Sequence, residues 1–289
     1  MREYVIATDS SSDLPEELVR RWGVPVVPLS VEIGQDRFRN CPEEAPDYHD
    51  FYTRLRKGEP ARTSAPNVEE FKEYFRPVLA QGNDILYLGF SSALSATCQN
   101  AAIAAEDLKE EFPEAEILTV DTLCASLGQG LMVDLALEEQ KKGKTIREVR
   151  DHVIGQIPRL AHWFTVDDLN QLRRGGRLSA GKAVLGSLLQ IKPVLHVDDE
   201  GRLVPVDTVK GRKRSIEALL KKMEETVVHP EGQRVYISHG DCQEEAERLA
   251  AMIRDRLPVA SVTIGYVGPV IGAHSGAGTL ALFFTGSHR

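Results

Sequence analysis

The chain has 289 residues, 42% of them hydrophobic, enough for one large core or for two of roughly 100–200 residues each, and two are expected here. Its 35 Lys and Arg stand against 43 Asp and Glu, and a net charge of −8 repels phosphates on average, which excludes a general affinity for nucleic acid or an anionic membrane surface. Cys41, Cys98, Cys124 and Cys242 lack Cys-x-x-Cys or Cys/His spacing, so neither a zinc site nor a disulfide framework is indicated, and a reducing cytoplasm is expected.

Met1-Arg2-Glu3-Tyr4 runs directly into a strand-like segment without the long apolar core of a signal peptide. No stretch approaches the ~18–20 apolar residues of a membrane span. Strands are expected at Tyr4–Thr8, Val24–Leu29, Ile85–Gly89, Ile117–Val120, His162–Val166, Val235–Ser238 and Val262–Tyr266. Between them, apolar residues at three- and four-residue spacing predict helices over Val68–Leu79, Ser95–Glu111, Leu127–Lys142, Ile146–Gln156, Arg214–Thr226 and Gln243–Arg256. Asn67 with Glu70, Thr145 with Glu148 and Asp241 with Glu244 have the spacing of capping boxes. Residues 35–66 read as a loop with one short helix near Tyr48–Lys57, and residues 167–213 as a connection between domains or the opening of the second one. The alternation predicts an α/β fold of two domains, 1–160 and 161–289, each a mostly parallel sheet flanked by helices.

In chain order, Asp9-Ser10-Ser11-Ser12-Asp13 follows the first strand; its second Asp is wrongly spaced for an aspartyl-phosphatase nucleophile, and helix capping is the simpler expectation. Thr63-Ser64-Ala65-Pro66-Asn67 sets two hydroxyls before a proline at a helix start. The run from Ile85 through Gly89 ends in Ser91-Ser92-Ala93-Leu94-Ser95-Ala96-Thr97 just where a helix begins. Open α/β sheets bind ligands beyond the carboxyl ends of their strands, and a helix start offers unpaired N–H groups to an anion, so Ser92, Ser95 and Thr97 are candidate donors; N-capping by Ser91 or Ser92 describes the same residues.

Leu172-Arg173-Arg174-Gly175-Gly176-Arg177-Leu178-Ser179, Lys192 and Lys210-Gly211-Arg212-Lys213-Arg214 form basic clusters in an acidic protein, suited to a phosphate or a phosphorylated partner, or simply a solvated charged face. Gly268 to Gly278 is a glycine-rich turn that permits close backbone approach and carries His274, a ring able to donate to a carboxylate. Walker A, Gly-x-Gly-x-x-Gly, His-Glu-x-x-His and Gly-x-Ser-x-Gly patterns do not occur.

Thr8 to Leu14, Thr63-Ser64-Ala65-Pro66, Ser91 to Thr97, Leu172 to Ser179 and Gly268 to Gly278, in this order, resemble the DegV family of bacterial fatty-acid-binding proteins over essentially the whole chain. The resemblance implies a two-domain α/β fold holding one long-chain fatty acid, such as palmitate, stearate or oleate, in an apolar tunnel. It implies carboxylate ligands at Thr63, Ser95 and His274, with Ser64, Ser92, Thr97 and Gly272 in the supporting polar turns. No cofactor and no metal are implied. The partner implied is a separate ATP-dependent fatty-acid kinase, faced by Arg173, Arg177 and Arg212, which makes an acyl phosphate for phospholipid synthesis. Ala93, Ala96 and Cys98, and likewise Ala65 and Asn67, depart from the commoner residues, which bears on which acyl chain fits. Two other functions remain open: a serine hydrolase of acyl esters built on Ser95, His274 and Asp121, and a regulatory protein with structural lipid.

Overall fold

The fold was determined as a computed structural model, and it describes residues 2–178 and 190–289. The first half of the chain gives β1 (Tyr4–Asp9), α1 (Glu16–Trp22), β2 (Val26–Val27), β3 (Ser30–Ile33), β4 (Asp36–Arg39), α2 (Tyr48–Arg56), β5 (Ala61–Ser64) and α3 (Val68–Ala80). There follow β6 (Asp84–Gly89), α4 (Thr97–Glu111), β7 (Ile117–Asp121), α5 (Leu127–Lys141) and α6 (Ile146–Gln156). The second half gives β8 (Leu160–Thr165), α7 (Leu169–Arg174), β9 (Ile191–Val197), β10 (Leu203–Lys210) and α8 (Arg212–Thr226). It closes with β11 (Arg234–His239), α9 (Gln243–Arg256), β12 (Ser261–Tyr266), α10 (Pro269–Ser275) and β13 (Leu280–Thr285).

The α/β reading holds. The first sheet, ordered β2-β1-β6-β7, is parallel throughout, as expected. Every residue of β6 is buried, because helices cover both faces: Leu86 and Leu88 pack toward α5 and α6, and Ile85 and Tyr87 toward α3 and α4. The second sheet, ordered β10-β9-β8-β13-β11-β12, corrects the expectation of a mostly parallel sheet: β11 runs parallel to β12, and the other pairings are antiparallel. The reason lies in its connections. β9 and β10 form a hairpin through the polar turn Asp198–Arg202, where Gly201 takes φ +77°, and β13 inserts antiparallel between β8 and β11. Of the two alternatives for residues 167–213, the segment contributes to the second half of the fold: it carries α7 and the hairpin strands β9 and β10.

Residues 35–66 also hold more than a loop. β4, β3 and β5 make a small antiparallel sheet whose apolar face, with Phe51 and Tyr52 of α2, packs on Val267, Val270 and Ala273. The capping boxes at Asn67 and Thr145 are present. The one expected at Asp241 is not: Cys242 precedes α9, and the Asp241 carboxylate instead takes His49 and Arg56 of α2. The glycine-rich turn expected after Gly268 is a helix, α10, with Pro269 at its first position, where a missing N–H costs nothing.

α5 joins the two large sheets. It contacts β1 and β6 on one side and β8, β11 and β13 on the other, and one apolar cluster draws on residues from both sides of residue 160. The far face of the second sheet, including Trp163, Leu282 and Phe284, is covered by α8 and α9. On its near face, His162 and Phe164 lie beside Phe283 and Ala281 in register. Among the described residues, no helix is long and apolar enough to cross a membrane.

Candidate functional site

A cavity of about 280 Å3 lies beyond the carboxyl ends of β2, β6 and β7, where Leu29, Phe90 and Ala125 follow the strands. The near face of the second sheet supplies Phe164, Ala281 and Phe283 as its opposite wall, and α10 supplies Val270 and Ile271. Thr63, Ser95, His274 and Arg177, expected from distant parts of the sequence, all line it. Strand alternation explains why Thr63 and not Ser64 does so: Thr63 pairs with Val31 and turns to α10, while Ser64 is exposed on the other side of β5.

His274 Nε2 lies 2.7 Å from Thr63 Oγ1. Gly175 packs against the same ring, and a Cβ there would sit 2.5 Å from His274 Nδ1, so the close approach needs glycine. Burial, with the Arg177 charge as a smaller cause, pushes the His274 ring down to about 4, so it is neutral at pH 7. Arg177 is itself tied to backbone: Nε donates to the Leu94 carbonyl at 3.3 Å and a terminal nitrogen to the Gly175 carbonyl at 2.5 Å.

Ser95 Oγ lies 2.8 Å from Thr97 Oγ1 and accepts from the Thr97 N–H at 3.3 Å at the start of α4. Thr97 is fully buried and supports Ser95 without lining the cavity. Ser92 is exposed outside the cavity, its N–H donating to the Asp121 carboxylate, and neither Ser91 nor Ser92 caps α4 through its side chain. Gly272 lies under Tyr52, whose ring a Cβ would overlap, so its role is close packing of α10 on α2. Arg173 is exposed on α7 and Arg212 pairs with Glu245 at 2.6 Å; both lie outside the cavity. Ser179, the last residue of the arginine-glycine segment, lies outside the described residues. Ser95, His274 and Asp121 are not hydrogen-bonded to one another, since each is engaged elsewhere: Ser95 with Thr97, His274 with Thr63, Asp121 with the N–H groups of Ser92 and Leu123.

The inner wall carries polar groups that sequence spacing did not reveal. Ser126, held between β7 and α5 at φ +54°, donates to Asp13 Oδ2 at 2.5 Å and lies 2.9 Å from Ser238 Oγ on β11. Asp13 is buried, and loss of water pushes its carboxyl up to about 8. Asp9 sits behind it and accepts from Tyr87 Oη, the Phe90 and Ser11 N–H groups and Gln129 Nε2. The hydroxyl-rich opening thus builds a buried network, where helix capping was the expectation; Asp9 does cap the short turn Ser10–Ser12 through the Ser11 N–H. His162 also lines the wall, with Nδ1 3.0 Å from the Leu160 carbonyl.

A family model described as "Uncharacterised protein, DegV family" matches residues 3–286. A DegV domain-containing protein of Clostridium perfringens is 44% identical over 289 residues, covering 100% of this chain and 99% of its own. The solved structure described as "Fatty Acid Binding of a DegV family Protein from Thermus thermophilus" superposes with a TM-score of 0.89 at 33% identity, covering 99% of this chain and 100% of that one. A DegV lipid binding protein of Thermotoga maritima superposes with a TM-score of 0.87 at 29% identity, covering 99% of each chain.

Proposed function

The chain belongs to the DegV family, and on that premise we propose that it is a non-catalytic carrier holding one long-chain fatty acid, of the palmitate, stearate or oleate class. The observation that carries this reading is the cavity itself: apolar over most of its wall, with neutral donors from Thr63, Ser95 and His274 gathered where it approaches the surface. The fatty-acid binding described for the Thermus relative supports it.

The acyl chain fills the apolar part. Burying ~15 methylenes at about 0.8 kcal/mol each gives a gross gain on the order of 12 kcal/mol before ordering and association costs. The carboxylate accepts hydrogen bonds from the Thr63 and Ser95 hydroxyls and from the His274 ring, whose present bond to Thr63 is exchanged for one to the ligand. Among the described residues no lysine lines the cavity, and its arginine, Arg177, donates to the Leu94 and Gly175 carbonyls, so the head group stays accessible to a separate ATP-dependent kinase acting in the cytoplasm. Arg177 is the arginine best placed for that encounter, since it lines the cavity beside His274. Arg173 is exposed for a partner surface, whereas Arg212, held by Glu245 outside the cavity, is less free to meet a partner or a phosphate.

The test is to denature the purified protein and identify released small molecules by mass spectrometry before any lipid is added. A stoichiometric long-chain fatty acid supports the carrier. An empty protein that also refuses fatty acids over a range of lengths contradicts it.

A further inference from the structure

A second chamber, of about 700 Å3, opens outside the first and shares Thr63, Arg177, His274 and Ser275 with it. The Thr63–His274 pair is therefore a partition between an inner apolar space and a larger outer one. We propose that the outer chamber is a ligand site for the phosphate-bearing head of an activated acyl chain, of the coenzyme-A thioester kind, one ligand spanning both chambers with its acyl carbonyl at the partition. This rests on the inner cavity holding an acyl chain, as argued above.

Charge is the first argument. Four guanidinium groups line the chamber: Arg56, Arg62, Arg174 and Arg177. Arg56 is held by the Asp241 carboxylate, but Arg62 and Arg174 make no hydrogen bond or ion pair among the described residues, and Arg177 donates to backbone carbonyls alone. Of the acids on the same wall, Glu59 pairs with Arg54 at 2.8 Å, while Asp168 caps α7 by accepting from the Asn170 N–H at 2.9 Å and keeps its negative charge. In a chain of net charge −8, three arginines against that one carboxylate leave the hollow net positive, a local anion site whose planar guanidinium forks match phosphate oxygens in pairs.

Size is the second. A chamber of about 700 Å3 falls in the roughly 300–1,000 Å3 range of sites for whole small molecules, and a single phosphoryl group would leave most of it to water. Leu55, Pro60 and Ala273 give the chamber apolar stretches that suit the half-apolar arm linking a thioester to its phosphates. The partition is the third. Its donors are the Thr63 hydroxyl and a ring that is neutral at pH 7, so an uncharged acyl carbonyl is held there as well as a carboxylate.

The experiment is calorimetric titration of the delipidated full-length protein with four probes: palmitate, palmitoyl phosphonate, coenzyme A, and a palmitoyl–coenzyme A conjugate with a stable thioether in place of the thioester. The wild type is compared with an Arg62→Ala/Arg174→Ala double variant and with Arg37→Ala, an exposed arginine of β4 outside both chambers. The conjugate is expected to bind the wild type and Arg37→Ala alike, and the double variant about tenfold more weakly, with a salt dependence that the double variant lacks. Palmitate is expected to bind all three equally. Equal affinity of the conjugate for all three proteins overturns the proposal, as does arginine-dependent binding of palmitoyl phosphonate by a protein that refuses the conjugate. Refusal of palmitate itself by the wild type brings down the carrier reading, and the inference with it.

Discussion

The two polar regions at the inner cavity differ in composition and in how they are tied: hydroxyls and one neutral ring at Thr63 and Ser95, buried carboxyls with hydroxyls behind Ser126. Toward the surface, Thr63, His274, Ser95 and Thr97 bond to each other in pairs, Thr63 to His274 and Ser95 to Thr97. Toward the interior, Asp9 alone accepts from four donors, and Asp13, Ser126 and Ser238 form a continuous chain across three elements. A pair of neutral groups can give up its mutual bond for a ligand at small cost, whereas a buried acceptor shared by several donors cannot be lost without leaving donors unpaired. On the function proposed above, the outer set receives the ligand and the inner set holds the frame.

Asp9→Ala tests that contrast most strongly. It strands three buried donors, the Tyr87 hydroxyl and the Phe90 and Ser11 N–H groups, at roughly 1–3 kcal/mol each before relaxation, while Gln129 keeps Thr8 and the Leu88 carbonyl, so a loss of about 4 kcal/mol in urea-unfolding free energy is expected. A loss below about 1 kcal/mol would erase the distinction between the two regions. Asp13 gives the next effect, and it depends on pH. Its carboxyl is near 8 in the folded chain because of burial, against about 4 when unfolded, so the folded state binds the extra proton between those values. Its stabilising contribution is complete below about pH 4 and is lost as pH rises through 8. Unfolding measured from pH 5 to 9 should show stability falling in the wild type, with a shallower fall in Asp13→Asn.

At the outer set the expected changes are in binding, with stability nearly constant. Thr63→Ala and Ser95→Ala should each weaken palmitate about tenfold, the worth of one hydrogen bond to a charged group, and shift the melting temperature little. The His274 ring, down near 4 in the free protein, should keep its neutral NMR signature as pH falls from 8 to 5; protonation near 6.5 would mean that burial and Arg177 do not govern it. The smallest effect belongs to Ser64→Ala, which should bind palmitate like the wild type because Ser64 is exposed on the opposite side of β5.

The same contrast marks what could be read from the sequence. The central parallel strand β6 was legible because burial on both faces makes it a continuous apolar run, and α3, α4 and α6 because each carries an apolar stripe; α5, packed between two sheets, is apolar on most sides. β3, β4 and β5 are four residues each, too short for a periodic signal, and Lys192 and Pro193 interrupt the apolar pattern of β9. Thr63, Ser95 and His274 were legible as candidates, and all three line the cavity, because each sits in a local motif near an element boundary. Ser126 was not, since its partner Asp13 lies 113 residues away and only the packing of α5 between two sheets brings them together. Arg62 and Arg174 likewise face one chamber only because β5 and α7 both pack on α10.

The most direct test of the outer set as the site is a crystal structure of the palmitate complex. The account predicts a carboxylate within hydrogen-bond distance of Thr63 Oγ1, Ser95 Oγ and a His274 ring nitrogen, with the acyl chain running inward toward Ser126 and Phe283. A carboxylate bound instead at Ser126 and Ser238, with the chain pointing outward past Thr63, would contradict it.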